Sequence, residues 1–463
     1  MDIFTGSNTT GSVAEGEGRK WLAFAEAFGP LKTHKIAPRL PLSGSISSSM
    51  LLVMPRLQTL LWNSLLITLS LCLFIEPYGS QAQGKRVIRP QAGGQPTTQT
   101  APARPGLISP GIEAGDVLFL AGQGSRDPKT GQHPEGFEAQ VKQALENLGA
   151  VLKAAGMDFS QVVNANVYLT DIKDFSRMND VYRNYFKSDP PARTTIAVPA
   201  LPGESQIEIT FVACRSGRQM VRPESLKPIS NAPYSLGVMA GDVLYLSGQG
   251  SFDPKTSQLA QGPIETHVKQ TMENCGAILK AAGMDFSNVV TANVYLPDMG
   301  NFEKMNQVYR SYFKTDPPSR TTVGVAALPG QTPVEITFVA YRAAKKIIQP
   351  EGARPSANFS QAVQAGNFLY PAGRVGSGDD IEAQVKSAMD GLGAVLKAGG
   401  RDFSDVVEAK VYLTDISDYA KMNEVYWSFF KADPPARTCL AVSKLVGTAK
   451  VEITLVATVP QSQ

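Results

Sequence analysis

Pro190-Pro191-Ala192-Arg193-Thr194 is the stretch that decides the fold, because its pattern returns twice further along the chain. The other two copies are Pro317-Pro318-Ser319-Arg320-Thr321 and Pro434-Pro435-Ala436-Arg437-Thr438. Each copy opens an apolar run that reaches a glutamate fifteen residues after its arginine, at Glu208, Glu335 and Glu452. The chain therefore contains three tandem repeats, each of which carries an arginine and a glutamate at a fixed separation.

The glutamates lie in segments with the alternation of a β-strand. In residues 206–213, Ile207, Ile209 and Phe211 fall on one face, whereas Glu208 and Thr210 fall on the other. A period of two is the period of side chains along a strand. We therefore expect each glutamate to point away from the apolar core of its own repeat.

The rest of each repeat predicts a two-layer α+β domain. The order is strand, helix, strand, helix, strand, strand, with a short strand expected in front. The first helix of the first repeat carries an apolar stripe at helical spacing, which is typical of core packing; the stripe consists of Val141, Leu145, Leu148, Val151 and Leu152. Two helices cover only one face of a sheet. The other face, which carries the glutamates, must meet solvent or another partner.

The N-terminal part has a different character. Residues 1–53 show no periodicity and predict a disordered or non-native leader, and residues 54–83 resemble a secretory signal, with Met54-Pro55-Arg56 before a short apolar centre. This pattern predicts that Met54 is the true start and that the protein is exported, either periplasmic or secreted. A membrane anchor is the alternative for residues 54–83. Residues 84–106 are rich in Pro, Gly, Gln and Thr and predict a flexible linker.

The net charge and the positions of the cysteines and histidines make several kinds of partner and site less expected. A formal charge of +3 with 18% charged residues gives no electrostatic reason to expect nucleic acid or acidic membranes as partners. Cys214, Cys275 and Cys439 fall at different repeat positions, which supports neither disulfides nor a zinc site. His133 and His267 also fall at different repeat positions, so histidine catalysis is disfavoured.

Several motifs together resemble the Rid family of reactive-intermediate deaminases. They are the Ala121-Gly122-Gln123 turn with its copy Ser247-Gly248-Gln249, the Asn166-Val167-Tyr168-Leu169 strand, the Pro-x-Arg motif and the late glutamate. The resemblance implies three chorismate-mutase-like domains, each a mixed sheet with two helices on one face, at residues 107–218, 226–345 and 353–460. Because the family is trimeric, it also implies an internal pseudo-trimer in a monomeric chain, with sites between neighbouring repeats.

The resemblance further implies hydrolysis of small 2-imino acids or enamines to 2-keto acids and ammonia, without a cofactor or metal. The carboxylate-binding arginines would be Arg193, Arg320 and Arg437, and the water-positioning glutamates Glu208, Glu335 and Glu452. An arginine can hold a substrate carboxylate with two hydrogen bonds. A nearby arginine should also keep the glutamate ionised, which favours orienting water over acting as a strong base.

The same resemblance assigns the pocket lining and shows where this chain departs from the family. The glycine after the first strand is Gly122, Gly248 or Gly373. The family's cysteine two residues after the arginine occurs only as Cys439, and Thr195 and Thr322 replace it elsewhere. The family's tyrosine occurs only as Tyr234, and Ile108 and Phe359 take its place. Arg374, in place of Gln123 and Gln249, predicts that the third pocket is the most altered.

Two other classes of function remain open from the sequence. The same cleft could serve a non-catalytic protein that binds or scavenges small carboxylates. The three domains could also form a structural scaffold.

Overall fold

The computed structural model describes residues 84–90, 108–226 and 232–459. These residues belong to one compact unit, 80–463. The predicted leader, the predicted signal peptide or anchor and residues 91–106 of the predicted linker lie outside the described residues. Among the described helices, none combines the length and the apolar character that a membrane span requires.

Repeat 1 is a mixed sheet with two helices. Its strands are β1 (Arg86–Ile88), β2 (Gly111–Ala114), β3 (Val117–Leu120), β4 (Gln123–Gly124), β5 (Val162–Leu169), β6 (Ala192–Ala197) and β7 (Ile207–Cys214), and its helices are α1 (Phe137–Ala154) and α2 (Phe175–Tyr182). The strand order is β1-β2-β3-β7-β5-β6, with β4 also paired to β7. Only β5 and β6 run parallel in this sheet.

Repeats 2 and 3 have the same strand order as repeat 1, but the described sheet of repeat 2 has six strands and no counterpart of β4. The elements of repeat 2 are β8 (Arg218–Val221), β9 (Gly237–Ala240), β10 (Val243–Leu246), α3 (Ile264–Ala281), β11 (Val289–Leu296), α4 (Phe302–Tyr309), β12 (Ser319–Gly324) and β13 (Glu335–Tyr341). Those of repeat 3 are β14 (Lys345–Ile348), β15 (Ala362–Ala365), β16 (Phe368–Pro371), β17 (Arg374–Val375), α5 (Ile381–Ala398), β18 (Val406–Leu413), α6 (Tyr419–Trp427), β19 (Ala436–Ala441) and β20 (Val451–Thr458). The predicted α+β class with two helices per repeat is confirmed.

One face of each sheet packs against the two helices of its repeat. In repeat 1, Ile207, Ile209 and Phe211 of β7 are buried in a core with the apolar stripe of α1. Each fully buried side chain of this kind stabilises the fold by about 1.5–3 kcal/mol. Helix α1 ends before Gly156, whose φ of +68° is the left-handed conformation that glycine adopts most easily. The faces predicted for β7 are therefore correct.

The other faces of the three sheets meet one another. A second apolar cluster contains Phe119 of repeat 1, Tyr245 of repeat 2 and Phe368 of repeat 3. The rings of Phe119 and Phe368 make an edge-to-face contact with centroids 5.4 Å apart. The uncovered sheet faces are thus buried against each other inside the chain, as expected for an internal pseudo-trimer.

The linker prediction was wrong for residues 84–90. Arg86–Ile88 forms β1 and pairs with β2, and Ile88 is buried. The short apolar pair Val87-Ile88 adds an edge strand, as β8 and β14 do before repeats 2 and 3. Lys85, just before β1, donates hydrogen bonds from Nζ to the carbonyls of Val406 (3.0 Å) and Asp433 (2.8 Å) in repeat 3. The start of the first repeat therefore contacts the third repeat, and the three repeats form a closed ring.

Candidate functional site

The contacts between repeats follow one order around the ring. The backbone N–H of Gly248 in repeat 2 donates to the carbonyl of Arg193 in repeat 1, at 3.1 Å. Gly373 of repeat 3 bonds Arg320 of repeat 2 in the same way, and Gly122 of repeat 1 bonds Arg437 of repeat 3, each also at 3.1 Å. Each arginine therefore lies beside the glycine of the next repeat, and the third repeat leads back to the first.

These contacts bring together three groups of residues between repeats, named clefts A, B and C, and each has an arginine from one repeat and a glutamate from the next. Cleft A contains Arg193, Thr195, Tyr234, Gly248 and Glu335. Cleft B contains Arg320, Thr322, Phe359, Gly373 and Glu452. Cleft C contains Arg437, Cys439, Gly122 and Glu208. In each cleft the arginine is the charged group that lowers the pKa of that glutamate, which shows that the two are near one another.

Aromatic rings hold each guanidinium. Arg193 is only 4% exposed, and its guanidinium carbon lies 5.6 Å from the ring centre of Phe175, 5.0 Å from that of Tyr182 and 5.3 Å from that of Tyr234. Phe302, Tyr309 and Phe359 surround Arg320 in the same way. Cation–π contacts stabilise a buried guanidinium without using its N–H donors. The N–H groups of each guanidinium therefore remain able to donate hydrogen bonds to another partner.

The guanidinium groups have donors to spare. Arg193 Nη2, Arg320 Nη1, and both Nε and Nη1 of Arg437 are buried without a hydrogen-bond partner. Among the described residues, no ion pair within 4.0 Å joins any of these arginines to its glutamate. Buried donors are rarely left unpaired in proteins. The arrangement is that of a binding site for an acceptor between the guanidinium and the carboxyl group.

The glutamates are more deeply buried than the sequence implied, and burial opposes the ionisation that the neighbouring arginine favours. Burial raises the pKa of Glu208, Glu335 and Glu452 to about 8 in each case, and the neighbouring arginine lowers it only partly. A hydrogen bond from the backbone of Thr195 also lowers the pKa of Glu335. The loss of hydration outweighs the attraction of the cation. Burial therefore favours the protonated form of these carboxyl groups.

Cleft C differs from the other two in the residues around its arginine. Trp427 lies over Arg437, with the guanidinium carbon 4.6 Å from the ring centre, and Arg437 Nη2 donates to the hydroxyl of Tyr419 at 3.2 Å. The hydroxyls of Thr195 and Thr322 are buried without a partner in clefts A and B. The corresponding Cys439 is buried, which raises its pKa to about 12 and keeps it a thiol. A thiolate nucleophile is not supported there.

The prediction that Arg374 alters the third pocket was wrong. Arg374 pairs with Ile453 across β17 and β20, whereas Val375 pairs with Glu452. Partners in an antiparallel pair share a face, so Arg374 lies on the helix side with the buried Ile453. Its side chain lies against Gly391 of α5, outside cleft B.

Sequence reasoning missed the aromatic residues of the second helices. Tyr182, Tyr309 and Tyr426 each precede the arginine by eleven residues, and Phe175, Phe302 and Tyr419 precede it by eighteen. These constant separations were the available signal. Tyr182 is also buried in the apolar core of repeat 1.

Each of the two histidines that the structure describes contacts a serine. His133 Nδ1 lies 2.8 Å from Ser125 Oγ, and His267 Nδ1 lies 2.8 Å from Ser251 Oγ. The two serines are fully buried. His133 lies in the loop before α1, whereas His267 lies in α3. Within the described ranges, no group of three or more His, Cys, Asp or Glu side chains could hold a metal ion.

Several known proteins are similar to about a quarter of this chain each. A RutC family protein of Saccharolobus solfataricus is 46% identical over 120 residues, which is 26% of this chain and 95% of that protein. The 2-iminobutanoate/2-iminopropanoate deaminase of Bos taurus is 46% identical over 118 residues, 25% of this chain and 86% of that protein. The crystal structure of RidA from an Antarctic Psychrobacter aligns at 36% identity with a TM-score of 0.26, covering 27% of this chain and 98% of that chain.

The family model described as Endoribonuclease L-PSP matches residues 98–215, 224–342 and 351–459. The three matches cover most of the chain, and the predicted resemblance to the Rid family is confirmed. The chain belongs to the Endoribonuclease L-PSP family, with three copies of the domain in tandem.

Proposed function

We propose that the chain hydrolyses small 2-imino acids, or their enamine tautomers, to 2-keto acids and ammonia in clefts A, B and C. The observation that carries the proposal is a buried arginine with unpaired donors that lies near a buried carboxyl group of the next repeat. The similarity to proteins named 2-iminobutanoate/2-iminopropanoate deaminase, such as that of Bos taurus, supports the same reaction.

The arginine binds the substrate carboxylate. Its guanidinium offers a planar set of donors that matches a carboxylate, and the rings around it fix its plane. In cleft A these rings are Phe175, Tyr182 and Tyr234. The imine carbon of a 2-imino acid is bonded to the carboxylate carbon. Binding at Arg193 therefore directs that carbon toward Glu335.

The glutamate moves a proton between water and the substrate nitrogen. Water adds to the imine carbon, the electron pair of the C=N bond passes to nitrogen, and nitrogen gains a proton. The resulting carbinolamine then loses ammonia and becomes the keto acid. A carboxyl group with a pKa of about 8 can donate and accept protons near neutral pH, which suits general acid–base catalysis.

We propose that the chain acts as a monomer, because the three repeats already supply all three clefts. Mass measurement in solution by light scattering tests this, and we expect the mass of one chain, 49.6 kDa before any processing. A stable trimer of chains would contradict it.

We also propose that residues 54–83 direct export. N-terminal sequencing of the protein from its native cells tests this proposal. A mature chain that begins near residue 83 supports it, and a chain that retains residues 54–83 contradicts cleavage.

A coupled assay tests the activity. An amino-acid oxidase generates 2-iminopropanoate, and semicarbazide competes for the free imine. We expect the protein to accelerate imine loss, and we expect the acceleration to vanish when Arg193, Arg320 and Arg437 are all replaced by alanine. Spontaneous rates with the wild-type chain, combined with calorimetric binding of a keto acid, would support a non-catalytic carboxylate binder instead. If the protein shows neither activity nor binding, the remaining role is that of a structural scaffold.

A further inference from the structure

One corner of repeat 3 is built differently from its counterparts. In repeat 1, Asn147 Nδ2 donates to the carbonyls of Gly124 and Arg126 and so ties the turn after β4 to helix α1. Asn274 holds the corresponding turn of repeat 2 to the carbonyls of Gly250 and Phe252. In repeat 3 the turn is shorter and the matching helix residue is Gly391. The turn and the residue that holds it are therefore lost together.

Arg374 occupies part of the space that this change opens. A Cβ on Gly391 would lie 3.1 Å from Arg374 Nε and 3.3 Å from its Cδ. The glycine thus lets the arginine lie across the helix. At the equivalent positions repeats 1 and 2 have Gln123 and Gln249, which carry no charge.

Arg374 lies in an open groove of about 550 Å³. The polar residues that line the groove are Arg354, Gln361, Arg374, Ser377 and Ser387. Arg374 Nη2 donates to the neutral side-chain oxygen of Gln361 at 3.0 Å. Within the residues that the structure describes, no carboxylate lies within 4.0 Å of this guanidinium. Burial lowers the pKa of Arg374, and no acidic neighbour offsets the effect.

Two serines, Ser377 and Ser387, also line the groove, and their hydroxyls bond within the protein: Ser387 Oγ donates to the carbonyl of Gln384 at 3.1 Å. Ser387 Oγ accepts from the backbone N–H of Ser377 at 2.7 Å, and the two hydroxyls lie 3.2 Å apart. Arg354 is exposed and adds a second positive charge at the rim. A half-buried cation without a counter-ion is costly, and an anion that reaches it reduces that cost.

We propose that this groove of repeat 3 binds a small oxyanion, a carboxylate or a phosphate, through the guanidinium groups of Arg374 and Arg354. Guanidinium groups pair with planar or tetrahedral oxyanions through charge-assisted hydrogen bonds. The groove lies on the helix side of the sheet, whereas the clefts lie between repeats. The proposal is therefore independent of the deaminase activity.

Calorimetric titration of the full chain at low ionic strength tests the proposal, with inorganic phosphate and acetate as separate probes. The test variant is Arg374→Gln, which introduces the residue that repeats 1 and 2 carry at this position and should fold. The control is Arg126→Gln, which removes one exposed arginine of repeat 1 and changes the net charge equally.

We expect Arg374→Gln to remove one binding event or to weaken it by at least about tenfold, while Arg126→Gln leaves it unchanged. Binding of phosphate alone would identify the ligand class as phosphates, and binding of acetate alone as carboxylates; either result supports the proposal when Arg374→Gln abolishes it. Equal losses in both variants would show general charge attraction and overturn the proposal. Titrations in which Arg374→Gln matches the wild type, or in which neither probe binds, would overturn it as well.

Discussion

Gly248 lies directly beside the carboxyl group of Glu335: a Cβ at Gly248 would come within 1.9 Å of Glu335 Oε1. No side chain fits there unless the carboxyl group moves. We therefore predict that Gly248→Ala displaces Glu335, reduces the contribution of cleft A to imine hydrolysis at least about tenfold, and costs about 1–3 kcal/mol of stability. Steady-state kinetics in an Arg320→Ala, Arg437→Ala background and urea denaturation measure the two effects.

Gly217→Ala is the matched control for this prediction. A Cβ at Gly217 would meet nothing within 4 Å. We expect it to leave both activity and stability close to those of the parent. Equal effects of the two substitutions would show that the close approach of Gly248 and Glu335 is unimportant.

The buried glutamates predict how stability depends on pH. Their pKa of about 8 in the folded chain exceeds the ordinary value of 4.5. The folded state thus keeps protons that the unfolded state releases. The contribution of the protonated glutamates to the free energy of unfolding is therefore full below about pH 4.5. It falls as the pH rises to about 8.

Glu335→Gln removes one of these titrations. We expect its free energy of unfolding, measured by urea denaturation, to fall less than that of the wild type between about pH 5 and about pH 8, by up to about 1.4 kcal/mol per pH unit. The variant should also lose cleft A activity, because an amide neither takes up nor releases the proton. An unchanged pH slope would mean that Glu335 is ionised in the folded chain.

The contacts of Lys85 with repeat 3 should stabilise the junction between the first and third repeats. Its Nζ holds two backbone carbonyls of repeat 3. Lys85→Ala should lower the free energy of unfolding by about 1–2 kcal/mol and speed amide exchange in β1. Lys129→Ala, in an exposed turn, should change stability by less than about 0.5 kcal/mol. Slow exchange in β1 of the Lys85 variant would contradict a role in ring closure.

Much of the fold followed from local patterns in the sequence. The alternation around Glu208 placed this residue on the face opposite Ile207 and Ile209, and the structure has it there. The apolar stripe of α1 identified the helical layer for a similar reason. Patterns of this kind are set by backbone geometry within one repeat, and three copies strengthened each of them.

Properties that depend on residues far apart in the sequence could not be predicted from such local patterns. The raised pKa of Glu335 results from burial between two repeats, which no local pattern records. The position of Arg374 depends on a glycine seventeen residues later in helix α5. The strand at Arg86–Ile88 has only three residues, and its stability comes from pairing with β2.

The central claim is that each working site takes its arginine from one repeat and its glutamate from the next. The most direct test starts from the double variant Arg320→Ala, Arg437→Ala, in which only cleft A keeps its arginine. Imine hydrolysis by this chain should be abolished by adding Glu335→Gln and preserved after adding Glu208→Gln, although Glu208 belongs to the same repeat as Arg193. Loss of activity with Glu208→Gln and its survival with Glu335→Gln would contradict the account.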